Sequence, residues 1–561
     1  MASRSTTATT LAGKVKGTVG SKGRMLHFRG IPFAAPPVGP LRWQPPQPVA
    51  SWSGILNCTK FGPHAYQRAA GFELFFNTLV DGLGLGRARK KALVAGLKVV
   101  NVKQNEDCLQ LNIHAPSHAE RLPVMVWIHG GDHTDGSGTE PHYNSDALPE
   151  RGCVLVTINY RLGMFGFLAH PELAGESPDR VSGNYGLLDQ VAALEWVRDN
   201  IAGFGGDPDC VTIFGESAGG QAVLNLMTTP RARGLFHRAI AQSPSDSGRW
   251  LQLRRPALDF LSAEDAGVEF AKAVVGFEPG QIERMRAMAP EELTECYQKL
   301  PLLGRHFYPA VDDVVLPMAP MSAFSAAVQA SVPLMIGYNS DEATLFADFM
   351  HPAGGEFYRD SSDSSDVENV QPVPLEDMRD MFALSYPSQS HVDRVMAAYP
   401  GLDAAGRLAI ADHGGDHMFG VHVDYAARQH AAAGHRVYRY YFTATPPSKK
   451  QTAGAFHAAE IFYVFDTSLP LVPVADDAHL TIREMGDRWF AFAATGVPDS
   501  PGRSNWPAYN EGDPQHMVFD RPRSAVGPVP PNPGIQVMRE RIEWLTEELA
   551  PGPVAASPPF N

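Results

Sequence analysis

Short apolar runs without alternation recur along the chain, and amphipathic stretches of helical period separate them. Pro123–His129, Val154–Tyr160 and Val211–Phe214 are runs of this kind, each reading as a buried strand. Asn184–Asn200 lies between the second and third and carries Leu187, Leu188, Val191, Leu194 and Val197 at the spacing of one helix face. Strands apolar on both sides and divided by helices predict an α/β fold, a mostly parallel sheet covered on both faces. Arg238–Gln242, Leu334–Tyr338 and Val437–Phe442 read as later strands of the same sheet. Ahead of them, Lys14–Val19 and Met25–Arg29 read as an antiparallel pair, followed by a Pro-rich crossing from Pro32 to Pro46.

Two segments break this rhythm. Residues 70–100 carry Phe72, Leu74, Phe75, Phe76, Leu79 and Val80, then a Gly-rich turn, then Arg87 to Val99. They read as a helical hairpin inserted in the fold, either a lid over a pocket or a packed excursion. His351–Asn369 is rich in Gly, Ser and Asp and reads as a solvated loop. Residues 1–13 are expected to be disordered, 14–550 to form one domain, and the Pro-rich tail 551–561 to fray. The sequence shows no internal repeat.

Composition narrows the function classes. The chain has 561 residues, 44% apolar and 19% charged, in the range of ordinary globular proteins. A net charge of −14 excludes the basic footprint that sequence-independent nucleic-acid binding requires. No apolar run reaches the length of a transmembrane helix, and the opening residues lack the apolar core of a signal peptide. The five cysteines are Cys58, Cys108, Cys153, Cys210 and Cys296, so at least one stays unpaired within the chain. Cys153 and Cys210 each open an apolar run and read as small buried hydrophobes.

Candidate chemistry centres on Gly215-Glu216-Ser217-Ala218-Gly219. Gly-x-Ser-x-Gly alone is weak, but here the strand Val211–Phe214 runs into it and the helical stretch Gln221–Met227 follows. That is the strand-turn-helix setting of a nucleophile elbow, with Ser217 at a helix N-terminus where the dipole favours negative charge. His129-Gly130-Gly131-Asp132 follows the strand Pro123–Ile128 and reads as the loop whose backbone N–H groups hold an oxyanion. A serine nucleophile needs a base, and the base needs an acid. The chain holds 20 histidines. Context favours His457 over His306, His351, His391, His413, His417, His422, His430 and His435, but pattern alone leaves the choice open.

From Lys14 to Tyr509 the chain resembles the type-B carboxylesterase family. The resemblance rests on Phe28-Arg29-Gly30-Ile31-Pro32-Phe33-Ala34, Glu106-Asp107-Cys108-Leu109-Gln110-Leu111-Asn112, Asn159-Tyr160-Arg161-Leu162-Gly163, Asn184-Tyr185-Gly186-Leu187-Leu188-Asp189-Gln190 and the serine motif. It implies the α/β-hydrolase fold and a serine esterase that acts on small-molecule esters without cofactor or metal. Gly337-Tyr338-Asn339-Ser340-Asp341-Glu342 matches the family's acid motif, with Ala343 where the family has Gly, so Glu342 is implied as acid and Asp341 as structural. His457-Ala458-Ala459-Glu460, with Val464-Phe465, matches the histidine motif and implies His457 as base. The implied triad is Ser217, Glu342 and His457, with Gly131, Asp132 and Ala218 donating to the oxyanion. Asp132, His133 and Glu216 are candidates for the substrate pocket.

The resemblance also implies an Arg42–Glu106 salt bridge and a Cys58–Cys108 disulfide, hence an oxidising, secreted or periplasmic setting with a cytoplasmic one as alternative. Cys153 and Cys210 are not expected to pair, because in this fold another strand separates theirs. The family gives no more than monomer or homodimer. Two departures stand out. Asp132 and His133 replace a Gly and an aromatic of the oxyanion loop, placing a carboxylate near a developing negative charge unless it turns to a partner. No Trp lies between Cys58 and Cys108, which argues against choline esters. The rival from another class is a neuroligin-like binding protein that keeps the fold without the triad; lipase and amidase are the rivals among enzymes.

Overall fold

The computed structural model describes residues 6–549 apart from 21–22, 68–77, 99–102, 246–250, 258–260, 301–302, 304–305, 348–378, 380–381, 384–385, 403–405 and 468–476. The strands are β1 (Thr7–Thr9), β2 (Lys14–Lys16), β3 (Thr18–Val19), β4 (Met25–Pro32), β5 (Ile55–Asn57), β6 (Gln110–Pro116) and β7 (Leu122–Ile128). They continue as β8 (Val154–Ile158), β9 (Gly206–Glu216), β10 (Arg238–Gln242), β11 (Leu334–Asn339), β12 (Val437–Phe442), β13 (Gln515–Phe519) and β14 (Ala525–Pro528). An eleven-stranded sheet runs in the order β14-β13-β12-β11-β10-β9-β7-β8-β6-β4-β3. Its middle, from β8 to β13, is parallel, and both margins are antiparallel. This mixed sheet with helices on both faces is the expected α/β fold.

Alternation along β7 shows why its run is unbroken. Val124, Val126 and Ile128 enter one hydrophobic cluster, and Met125 and Trp127 enter another on the opposite face. The first face is covered by α2 (Tyr185–Asn200) and α3 (Ala218–Thr228), through Leu187, Leu194, Val223 and Leu226. The second is covered by Met485, Trp489 and Phe492 of α4 (Ala478–Thr495). Burying each of these large side chains contributes about 1.5–3 kcal/mol.

The structure differs from the sequence expectation at the amino end. Lys14–Val19 is not one strand: β2 joins β1 and β5 in a separate three-stranded sheet, and only β3 pairs with β4. The break falls at Gly17, where a Cβ would lie 2.3 Å from the His27 carbonyl oxygen. Residues 1–13 are not disordered throughout, because β1 pairs with Lys14–Lys16 and buries Ala8. Its β-branched threonines suit an extended chain even without an apolar run.

The Cys58–Cys108 disulfide is likewise corrected: both are free, buried thiols. Cys58 Sγ faces the Gly30 carbonyl at 3.9 Å, while Cys108 sits among Asp107, Asp189 and Arg161. As free thiols they give no ground for inferring an oxidising compartment. β7 does lie between β8, which follows Cys153, and β9, which contains Cys210. The Arg42–Glu106 pair is present and bidentate, Nε to Oε1 at 2.6 Å and Nη2 to Oε2 at 2.7 Å.

Within the 70–100 excursion, residues 78–82 and α1 (Arg87–Lys98) are helical. Leu79, Val80, Leu83 and Leu93 are buried in the cluster that also holds Ala453, Ala455 and Leu345. The Gly82 carbonyl accepts from Thr452 N (2.8 Å) and Ala453 N (3.2 Å). This part of the excursion is therefore packed against the loops of Glu342 and His457. Phe72, Leu74, Phe75 and Phe76, the loop His351–Asn369 and the tail 551–561 lie outside the described residues. No helix among the described residues is long and apolar enough to cross a membrane.

Candidate active site

The serine motif forms a sharp bend between β9 and α3, and Ser217 occupies φ 58°, ψ −124°. A non-glycine residue there is strained and persists because its surroundings fix it. Ser217 N donates to the Gln242 carbonyl of β10 at 3.0 Å. Cβ atoms added to Gly215 or Gly219 would lie 2.5 Å from the Gly219 carbonyl oxygen and 2.1 Å from the Ile128 carbonyl oxygen. The glycines are there because the bend is wedged between β7 and β10. Ala218 opens α3, where helix amides lack intrahelical partners.

Across from the serine, Gly131, Asp132 and His133 take φ values of 101°, 54° and 53°. The Gly131 carbonyl accepts from Thr134 N (3.0 Å) and Asp135 N (2.8 Å), which turns the loop. A Cβ at Gly130 would stand 3.2 Å from Ser217 Cβ, so this loop lies directly against the nucleophile candidate. Gly131 is exposed and Asp132 half-buried. Asp132 Oδ2 accepts from the Tyr308 hydroxyl at 2.6 Å. A tyrosine is thus one partner of this carboxylate, beside the Arg or His that the sequence offers. His133 is buried, with Nε2 3.1 Å from Gln221 Oε1 and its ring edge-on to Phe167.

The acid and histidine motifs come together from the ends of β11 and the loop after β12. His457 Nδ1 bonds Glu342 Oε2 at 2.6 Å. Glu342 Oε1 accepts from Ser243 Oγ (2.6 Å) and Asn339 N (2.7 Å). Asp341 instead accepts from Ala455 N at 2.9 Å, a structural contact as expected. His457 Nε2 lies 3.1 Å from Glu216 Oε1, and among the described residues Ser217 Oγ has no hydrogen bond to His457. Such bonds are commonly long before substrate binds.

The chain matches the carboxylesterase family over residues 3–532. It is 35% identical to a fumonisin B1 esterase of Sphingopyxis macrogoltabida, over 89% of this chain and 84% of that protein. It is 33% identical to the para-nitrobenzyl esterase of Bacillus subtilis, over 91% and 94%. A solved PNB esterase superposes with TM-score 0.76 at 30% identity, covering 95% of this chain and 99% of that one. The chain belongs to the carboxylesterase family. It is a carboxylic ester hydrolase.

In this esterase the electrostatics around the histidine are set by burial and three glutamates. Burial alone would lower the His457 pKa, but Glu216, Glu342 and Glu460 outweigh it and raise the imidazole to about 9. Burial pushes Glu216 well above the carboxylate range, and the neighbouring Glu460, Glu342 and Glu140 push it further. Glu460, also raised by burial, accepts from Gln242 Nε2 (2.9 Å) and Asn339 Nδ2 (2.7 Å). Phe419 stacks on His457, centroids 4.5 Å apart and planes at 28°. It belongs to a π-helical turn, Asp416–Gly420, a type of irregularity frequent at functional sites. Sequence reasoning missed Ser243, Tyr308 and Phe419, which lie far from any motif; Glu460 stood inside the histidine motif without an assigned role.

Proposed function

We propose that Ser217 is the nucleophile, His457 the general base and acid, and Glu342 the acid that orients His457. In the first step His457 takes the Ser217 proton at Nε2 as Oγ attacks the ester carbonyl carbon. The oxyanion is held by the backbone N–H groups of Gly131, Asp132 and Ala218. The intermediate collapses, His457 returns the proton to the alkoxide oxygen, and the alcohol leaves. Water then attacks the acyl-enzyme with His457 again as base, releasing the carboxylic acid and restoring Ser217. Glu342, accepting three hydrogen bonds, orients His457 and steadies the imidazolium. Asp132, His133 and Glu216 are assigned to the substrate pocket.

The observation that carries this reading is the 2.6 Å contact from Glu342 to His457 Nδ1, with Nε2 left facing Glu216, the residue before Ser217, at 3.1 Å. The neuroligin-like alternative draws no support from a site whose acid and base are joined. The test is hydrolysis of short- and long-chain p-nitrophenyl esters by wild type and Ser217→Ala. Fumonisin B1 and p-nitrobenzyl esters, substrates in the relatives' names, complete the panel. Wild-type turnover that falls by about 10⁴-fold or more in the variant is expected. Turnover that survives the substitution would remove Ser217 from the role.

A further inference from the structure

His27 and His114 are cross-strand neighbours, in register on β4 and β6, with ring centroids 4.3 Å apart. Asp146 reaches them from the loop between β7 and β8, where its own carbonyl accepts Glu150 N at 2.7 Å. A single carboxylate oxygen, Oδ1, lies 2.8 Å from His27 Nε2 and 3.0 Å from His114 Nδ1. Among the described residues this is the one trio of His, Cys, Asp or Glu whose ligand atoms all fall within 4.8 Å of one another. Sequence spacing gives no hint of it, because the three residues come from separate elements.

We propose that His27, His114 and Asp146 form a binding site for a divalent first-row transition-metal ion, zinc foremost. Two imidazole nitrogens and one carboxylate oxygen are the donor set that such ions take. The observed nitrogen–oxygen separations are hydrogen-bond distances, a few tenths of an ångström shorter than the ~3.3 Å between neighbouring ligands of a tetrahedral ion with bonds of 2.0–2.1 Å, so a small outward shift of the three side chains admits the ion. The histidine side chains are 12% and 5% exposed and Asp146 is 33% exposed, so an ion enters from the carboxylate side and water completes its shell. Arg29 lies within electrostatic reach of Asp146, and its positive charge opposes the binding of a cation there. The bound ion ties the antiparallel margin of the sheet to the loop that follows β7.

The competing account is a hydrogen-bonded staple in which both imidazoles donate to Asp146 and no ion is held. Titration calorimetry with zinc chloride on chelator-treated full-length protein separates the two, using wild type, His114→Gln and Asp146→Asn. One ion per chain at micromolar affinity is expected, weakened at least 100-fold in each variant, with circular dichroism confirming that the variants fold. An anomalous difference map from a zinc-soaked wild-type crystal should place the ion among the three side chains, and it decides even if a variant fails to fold. No zinc uptake by wild type, equal uptake by both folded variants, or an anomalous peak at other histidines would overturn the proposal.

Discussion

Asp132 puts a carboxylate beside the place where negative charge develops, and the Tyr308 hydroxyl turns it aside. Aspartate is among the few non-glycine residues that accept a positive φ readily, which suits the φ of 54° that Asp132 takes here. Tyr308→Phe removes the hydroxyl that holds the carboxylate away, so kcat on a neutral ester should fall roughly tenfold, about the 1–3 kcal/mol of a lost hydrogen bond to charge. Adding Asp132→Gly should recover most of the loss; steady-state kinetics of the two variants check both. His457 gives the second expectation at this scale. Because its imidazole holds a proton up to about 9, the neutral base becomes available only as pH rises. The ascending limb of kcat/KM should therefore lie alkaline of 6.5, and Glu216→Gln should move it to lower pH. A limb at or below 6.5 in wild type would contradict this. Ser217 was legible from its bend context, whereas His457 stood out among twenty histidines only through the family motif. Ser243, Tyr308 and Phe419 act through contacts between distant elements, and no local pattern marks them.

Elements whose burial is two-sided were the most legible. β10 and β12 have the expected bounds, and α2 differs by one residue, because a continuous apolar run or a clear helical face leaves little choice. β6 was not read as a strand, since its QLNIHAP sequence mixes polar residues with an ending proline. β2 and β3 were fused in the reading because nothing local tells that Gly17 meets the His27 backbone. The π-helical turn at Asp416–Gly420 has no sequence mark either, yet it delivers Phe419 to His457. Phe419→Ala should lower kcat by on the order of 10–100-fold through a misplaced ring, with KM little changed. The bend is the less forgiving element: Gly219→Ala drives a Cβ into the Ile128 carbonyl and should cost about 1–3 kcal/mol or more, read as a lower urea midpoint.

For the molecule as a whole, buried charge is paired across long sequence separations. Arg161 bonds Asp189 through Nε–Oδ2 (2.8 Å) and Nη2–Oδ1 (2.7 Å), joining the segment after β8 to α2. Buried histidines set the acid limit. His413 and His422 are lowered to about 3, chiefly by burial and further by Arg541, and burial lowers His129 to about 4. The unfolded chain protonates such residues near 6.5, so lowering pH from about 6.5 toward 4 favours unfolding. Urea titrations should show stability falling across that window, and a midpoint unchanged between pH 6.5 and 4 would contradict it. The parallel middle of the sheet was legible from strand composition alone, but its order and the disposition of its antiparallel margins were not, because pairing partners lie far apart in sequence.

The most direct test of the central claim is covalent trapping. Wild-type protein treated with an organophosphonate, which transfers its phosphonyl group to the nucleophile as its leaving group departs and then resists hydrolysis, should gain one adduct by intact mass, located on Ser217 by peptide mapping, as esterase activity disappears. Ser217→Ala should stay unlabelled. An adduct on another residue, or lost activity with Ser217 unmodified, would contradict the account.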